Sequence, residues 1–237
     1  MRTLVVAPMR REARAIGRRA VSVGAGARAG DGLRAQLKEG GIEAVLVAGI
    51  CGALDPSLAP GDVILASSAL ADGKPELHSD ARLLVAARAA LAAQTRGRVP
   101  QRRDGAPDGF VCSRLLTIPA PTVDAGERRS LWRDVAAAAV DMETYALAEA
   151  ATEGGIPWLA VRTVSDAAEA RLPSAIASWR DERDDWPVAF AIARRPREWT
   201  LAVRLAWDTR MALQSLARAT AVVSAAFDGM TTPADEG

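Results

Sequence analysis

The sequence predicts an α/β fold, a central sheet with helices packed on both of its faces. Short apolar runs alternate along the chain with segments of helical spacing. The runs are apolar at nearly every position, which is typical of strands buried on both faces. With 237 residues, the chain is long enough to bury one such core. These observations together predict a three-layer α-β-α architecture.

The chain opens with strand, loop and helix. Residues 4–6, "LVV", form a short β-branched run that ends before Pro8. The segment "RREARAIGRRA" then has the character of a helix, and Glu12 lies at the junction. Val21 and Val23 indicate a second strand. The glycines Gly24, Gly26 and Gly30 indicate a tight passage into a second helix, "DGLRAQLKEGG", that ends at its own glycines.

The middle of the chain continues the alternation. Residues 44–47 are predicted as a third strand that runs into a glycine loop, and "PGDVILASSAL" as a fourth strand. A helix, "SDARLLVAARAALAAQ", precedes a charged stretch, "TRGRVPQRRDGAPDG", that is typical of a surface loop. "FVCSRLLTI" then returns to the sheet.

The next elements bring carboxylates to the core. "ERRSLWRDVAA" is predicted to be at least partly helical, and "VDMETYALA" has the apolar spacing of a buried helix with Asp141 and Glu143 in its first turn. "WLAVRTVSDAA" is predicted as a buried strand that ends in a polar loop. The core pattern stops near Ala168, so residues 1–168 are predicted as one core domain.

Residues 169–237 differ in kind and are predicted as a helical extension with a loose tail. One long helix is expected from residue 197 to about 227. Four large side chains spaced four residues apart form one apolar stripe on it, and they are Trp199, Val203, Trp207 and Met211. We expect the extension to pack on the core or on a second subunit.

Composition excludes several classes of function. The 30 basic and 29 acidic residues nearly cancel and are mixed along the chain, which argues against a nucleic-acid partner and favours a small-molecule substrate. Cys51, Cys112 and the single His78 show no metal-ligand spacing, so no metal site is expected. The apolar run at the start is too short for a signal peptide or a membrane span, so a cytoplasmic protein is expected.

Acidic and glycine residues follow the predicted strands, where layered α/β sheets bind ligands. They are Glu12, Gly24 to Gly26, Gly49 to Gly52, Asp141, Glu143 and the Ser165-Asp166 pair. Four acids at such positions exceed what helix capping requires. "GAGARAG" lacks the spacing of a dinucleotide fingerprint, so no nucleotide cofactor follows from it.

Three segments in order resemble the purine nucleoside phosphorylase and nucleosidase superfamily: "VAGICGALDPSLAPGDVILAS", "VDMETYALAEA" and "WLAVRTVSDAA". "APMRREA" resembles the first active-site turn of the methylthioadenosine/S-adenosylhomocysteine nucleosidases. The C-terminal part is similar to the hopanoid-associated members, thought to remove adenine from adenosylhopane. The resemblance implies a mixed, twisted sheet and cleavage of the N-glycosidic bond of a 5′-substituted adenosine.

The resemblance also implies roles for single residues. Asp166 is the acid that protonates purine N7, oriented by Ser165, and Glu143 accepts hydrogen bonds from the ribose hydroxyls while Met142 packs on the sugar. Asp141 stands where the family often has Glu and is expected to cap. Glu12 activates water on the opposite face, as in inverting glycosidases.

The nucleophile is open between water and phosphate. Gly49 and Gly52 would let backbone amides approach substrate or phosphate. Arg10, Arg11 and Arg28 border the expected site and are candidates for a phosphate cradle, whereas Glu12 would repel an anion. We favour hydrolysis, with no cofactor and with inorganic phosphate as the alternative co-substrate.

Two departures from the family pattern bear on specificity. The loop "TIPAPTVDAG" holds no aromatic residue to stack on the base. The chain after Asp166 is also longer than in the typical nucleosidase, where a single helix closes the fold. Tryptophans of this extension, among them Trp179 and Trp186, could cover a hydrophobic 5′ group or touch the inner membrane surface, although a core or subunit contact is the commoner role. A homodimer is expected from the resemblance. The alternatives are a methylthioadenosine/S-adenosylhomocysteine nucleosidase and a catalytically silent nucleoside-binding protein.

Overall fold

The computed structural model describes residues 1–95, 110–179 and 185–230. Most of the charged stretch predicted as a surface loop, and the end of the tail, lie outside these ranges. Within them the chain forms the following strands: β1 Thr3–Ala7, β2 Ala20–Ser22, β3 Ala44–Ala53, β4 Val63–Ala71, β5 Leu77–His78, β6 Phe110–Thr117, β7 Ala139–Asp141 and β8 Trp158–Asp166.

These strands form one mixed sheet. β3 runs parallel to β1 and β8, and β4 runs parallel to β6 but antiparallel to β8. β7 runs parallel to β6 and antiparallel to β3, and it pairs with both. The pairings β3–β8–β4–β6–β7–β3 therefore close a ring, which brings the carboxyl ends of β3 and β8 beside β7.

Helices cover both faces of the sheet: α1 Arg10–Ile16, α2 Ala29–Leu37, α3 Ala81–Thr95, α4 Ala125–Val135, α5 Thr144–Glu153, α6 Asp185–Ala193 and α7 Trp199–Asp228. On one face, α2 and α5 bury Leu33 and Leu147 against the sheet. On the other, α3 and α7 bury Leu83 and Leu216. The predicted three-layer fold with a mixed sheet and a C-terminal helix is confirmed.

Two predicted element boundaries are wrong. The third strand does not end at residue 47, because β3 continues through Gly49 and Gly52 to Ala53. "VDMETYALA" does not begin as a helix: Asp141 ends β7, and α5 starts only at Thr144. Glu143, the residue before α5, therefore lies in the turn between a buried strand and a buried helix.

The long C-terminal helix is present as predicted, at Trp199–Asp228. Its second half packs on the sheet, with Leu216, Val223 and Phe227 fully buried. The apolar stripe in its first half is exposed, from 40% for Met211 to 71% for Val203, so the stripe itself is not part of the core. No helix among the described residues is both long and apolar enough to cross a membrane.

We expect Leu216→Ala to lower the free energy of unfolding by about 2–5 kcal/mol, because it leaves a cavity between α7 and the sheet. Val203→Ala, on the exposed half of the same helix, should change it by less than about 0.5 kcal/mol. Urea unfolding of both variants measures the difference. Similar costs for the two substitutions would contradict the observed burial of α7.

Candidate functional site

One cavity of about 390 Å³ opens at the carboxyl ends of β3, β7 and β8. The structure brings Met142, Glu143, Ser165, Asp166 and Gly52 together in its wall. These residues come from segments far apart in the chain. The register of the sheet explains the meeting, because Gly52 on β3 lies opposite Val140 on one side and opposite Asp166 on the other.

Asp166 ends β8 and is held from both sides. The hydroxyl of Ser165 lies 2.6 Å from Asp166 Oδ1 and 3.0 Å from the carbonyl oxygen of Cys51. The guanidinium of Arg128, on α4, lies 2.5 Å from Asp166 Oδ2. The carboxyl group is therefore fixed in orientation at the cavity wall, where only 7% of the residue is exposed.

Glu143 is almost fully buried at the start of α5, and its Oε1 accepts a hydrogen bond from the backbone N–H of Gly26, 2.9 Å away. Burial, together with the nearby charge of Asp141, raises the pKa of Glu143 from its ordinary value of 4.5 to about 7. At neutral pH this carboxyl group is therefore less ionised than an exposed glutamate, and its oxygens can accept hydrogen bonds from ligand hydroxyls.

Asp141 has the capping role expected of it and one more. Its Oδ1 accepts hydrogen bonds from the backbone N–H of Thr144 and from the hydroxyl of Thr117, at 3.2 and 2.7 Å. Its Oδ2 forms a buried ion pair with Arg162, 2.9 Å from Nε. Asp141 therefore ties the start of α5 to strand β8.

Glu12 lies behind the cavity wall and is fully buried. Its two carboxylate oxygens accept hydrogen bonds from the backbone N–H groups of Met9 and Ile50, at 2.9 and 2.8 Å, and both of those residues line the cavity. Burial raises the pKa of Glu12, although the charge of Arg162 opposes the rise. Such a carboxylate has the basicity needed to accept a proton.

Arg162 is a residue of the site that sequence reasoning missed. It is fully buried in the middle of β8, and its Nε contacts Asp141 and the Thr144 hydroxyl. Burial alone would lower the pKa of Arg162, but the carboxylates of Asp141, Glu12 and Glu143 raise it. A lone arginine inside the apolar run "WLAVRTV" was the signal, because an arginine is almost never fully buried unless it is paired.

The two glycines of β3 have different surroundings. A Cβ on Gly49 would lie 1.8 Å from Arg162 Nη1, so this glycine makes room for the arginine. It does not belong to the described cavity lining. A Cβ on Gly52 would lie 3.0 Å from Asp166 Oδ2, and Gly52 does line the cavity. The backbone of β3 therefore comes close to the acid at Gly52 and to the buried cation at Gly49.

Of the three arginines considered for a phosphate cradle, Arg11 lines the cavity, whereas Arg10 and Arg28 are exposed and are not part of the described lining. The Arg11 guanidinium lies over the ring of Trp179, 5.4 Å from its centroid. Trp179 also lines the cavity and gives it an aromatic surface, which the loop of residues 117–126 lacks.

The rest of the wall is largely apolar. It comes from the loop after β6, from the segment after β8, and from α6 and α7, and the residues are Ile118, Pro121, Leu172, Ile176, Val188 and Leu205. Among the described residues, no group of three or more His, Cys, Asp or Glu side chains is placed to hold a metal ion. The site therefore combines acids and a buried cation at one end with an apolar enclosure.

A model of the phosphorylase superfamily matches residues 32–186 of the chain. A search of curated proteins by sequence found no match to this chain.

Solved structures share the fold. The chain is similar to the futalosine hydrolase of Helicobacter pylori strain 26695, with a TM-score of 0.70 and 13% identity over 95% of this chain and 97% of that one. It is also similar to the H. pylori 5′-methylthioadenosine/S-adenosylhomocysteine nucleosidase, with a TM-score of 0.71 and 12% identity. That match covers 97% of this chain and 99% of the nucleosidase. The same nucleosidase from Neisseria meningitidis, solved with methylthio-immucillin-A, has a TM-score of 0.68 and 16% identity to this chain. That match covers 94% of this chain and 99% of the nucleosidase.

Glu143 should make stability depend on pH. Because folding raises its pKa from 4.5 to about 7, the folded state favours the protonated form. The resulting stabilisation is present below about pH 4.5 and is lost as the pH rises through about 7. In the wild-type protein this lost stabilisation is on the order of 3 kcal/mol. The side chain of Glu143→Gln cannot ionise, so its free energy of unfolding, measured with urea, should decrease less over the same pH range. The exposed Glu39→Gln is the control, and an equal pH slope in all three proteins would contradict the prediction.

Proposed function

The chain belongs to the phosphorylase superfamily, and from that premise we propose that it cleaves the N-glycosidic bond of a 5′-substituted adenosine. The observation that carries the proposal is the joint presence of Asp166, Glu143 and Met142 in the wall of one cavity, with Glu12 directly behind it. Loss of a purine leaves positive charge on the ribose and places electrons on the base. An acid for the base and carboxylates near the sugar meet both needs.

In the proposed reaction, Asp166 gives its proton to N7 of the base as the bond between ribose C1′ and N9 breaks. The bonding electrons leave with the base, which departs as neutral adenine. Glu143 accepts hydrogen bonds from the ribose hydroxyls, and Met142 packs on the sugar. A water molecule then adds to C1′ and gives its proton to Glu12, so that the products are adenine and the free sugar.

Arg162 supports this arrangement. Its Nη1 and Nη2 have no hydrogen-bond acceptor among the described residues, while Glu12, Asp141 and Glu143 surround the guanidinium. The cation offsets part of the repulsion among these carboxylates. We assign Arg162 to the site as an electrostatic and positioning residue.

We favour water over phosphate as the nucleophile. Of the three arginines considered for phosphate binding, Arg11 lines the cavity, and its guanidinium lies over the ring of Trp179. Arg10 and Arg28 are not part of the cavity lining. Three buried carboxylates near Arg162 make the sugar end unfavourable for a second anion. Gly49 faces Arg162, so its amide is a weak candidate for phosphate binding. The proposal needs no cofactor.

The apolar part of the cavity supports a bulky, hydrophobic 5′ group, and adenosylhopane is our specific proposal. Trp179, Leu172, Ile176 and Val188 offer such a group an enclosure. The exposed Trp186, beside it on α6, and the apolar stripe suit contact with a second subunit or with a membrane surface. We propose a cytoplasmic homodimer that meets its substrate at the inner face of the membrane.

The second candidate is a methylthioadenosine/S-adenosylhomocysteine nucleosidase. The structural likeness to two nucleosidases of that name favours it. A catalytically silent nucleoside-binding protein is the third reading. It gives no reason for the fixed orientation of Asp166 or for the raised pKa of Glu12.

We expect Asp166→Asn to lower adenine release by about 10²–10⁴-fold, because the amide cannot donate the proton to N7. Asp134→Asn, on α4 and outside the cavity lining, is the matched control and should keep wild-type turnover. Chromatography of free adenine measures both. Wild-type turnover in Asp166→Asn would contradict the mechanism.

The same assay identifies the substrate. Methylthioadenosine, S-adenosylhomocysteine and an adenosine with a long hydrophobic 5′ chain are compared, each with and without phosphate. We expect the hydrophobic substrate to be preferred and phosphate to have no effect on the rate. Faster turnover of the two small thioethers would favour the second candidate, and binding without any product would favour the third.

A further inference from the structure

We propose that Arg128 is a positioning residue that acts through Asp166, stabilising the negative charge that Asp166 acquires when its proton passes to the leaving base. The inference rests on the proposed function, since it concerns the same proton transfer. Arg128 lies in the first turns of α4, within "ERRSLWRDV", and the proposed reaction gives it no step of its own.

The surroundings of Arg128 fix it in place. Its Nε and Nη2 donate to the carbonyl oxygen of Thr122, at 3.0 and 2.6 Å, and its Nη1 donates to the carbonyl oxygen of Ala167, at 3.0 Å. Nη1 also lies 2.5 Å from Asp166 Oδ2, and the side chain is 3% exposed. Both carbonyl partners are neutral, so the carboxyl group of Asp166 is the acidic group placed to balance this buried cation when it ionises.

A count of protons around Ser165 points to two states of Asp166. The single hydroxyl proton of Ser165 faces two acceptors, the carbonyl oxygen of Cys51 and Asp166 Oδ1. When Asp166 is ionised, Ser165 donates to it. When Asp166 carries a proton, Ser165 can donate to Cys51 and accept from the acid. Both states fit the observed positions without movement of the backbone.

Arg128 affects the two states differently. Before the transfer, the neutral acid stands beside a cation and gains little from it. After the transfer, the carboxylate and the guanidinium form a close ion pair at the observed separation of 2.5 Å, in a buried site where such contacts are strong. The proton moves from Asp166 to N7, no other bond changes at Arg128, and the buried ion pair favours the product of that step.

A double-mutant cycle tests the inference. Arg128→Met, Asp166→Asn and the double variant are assayed for adenine release from the best wild-type substrate, with Arg129→Met, its exposed neighbour on α4, as the control. We expect Arg128→Met to lower kcat about 10²-fold with KM changed by less than about threefold. In the Asp166→Asn background it should change kcat by less than about threefold, because the charge it supports is gone.

Arg128→Lys separates charge from packing. It keeps the positive charge and loses part of the contact with Thr122, and we expect it to restore kcat to within about tenfold of wild type. If Arg128 served only to hold the loop at Thr122, KM would rise, the cost would be equal in both backgrounds, and lysine would not rescue kcat. Any of these three results would overturn the inference.

The assay also distinguishes this inference from the proposed function. Absence of base release by the wild-type protein would overturn both. Normal release by the wild type together with equal losses in the two backgrounds would overturn only the role of Arg128. Circular dichroism confirms that each variant is folded, and if Arg128→Met does not fold, Arg128→Lys and Arg128→Gln complete the same comparison.

Discussion

The buried charge of Arg162 is the constraint on which the rest of the site depends. A guanidinium with no exposed surface is stable only when carboxylates surround it, and Asp141, Glu12 and Glu143 do so. The same cation allows three acids to share one small volume. The pairing of β3 with β8 provides the space, because Gly49 lies opposite Arg162 and has no side chain to occupy it.

A second charge pair stands at the other end of the cavity. Asp166 is paired with Arg128 and oriented by Ser165, whereas Glu143 and Glu12 are held by backbone N–H groups and have raised pKa values because of burial. The two ends of the cavity therefore hold their acids differently: an arginine pairs with Asp166 at one end, and burial raises the pKa of Glu12 and Glu143 at the other. This separation suits a reaction that moves electrons from ribose to purine.

Much of the fold could be predicted from apolar periodicity, because the long segments of β8 and α7 each match only one type of secondary structure. The errors arose where a local pattern was ambiguous. Glycines at Gly49 and Gly52 suggested a loop, although here they make room for side chains within a strand. The three residues of β7 merge with the helical pattern that follows. Arg162 and Arg128 were missed because their acidic partners come from distant segments of the sequence. The spacing of apolar residues along a helix does not show whether the stripe they form is buried or exposed.

The central claim is that the carboxylates around Arg162 stabilise positive charge on the ribose. Calorimetric titration with two adenine-bearing inhibitors tests it most directly, one with a protonated pyrrolidine in place of the ribose ring and one with a neutral ring of the same shape. The account predicts at least about 10²-fold tighter binding of the cationic inhibitor, with the preference reduced in Glu143→Gln. Equal affinity of the wild-type protein for the two inhibitors would contradict it.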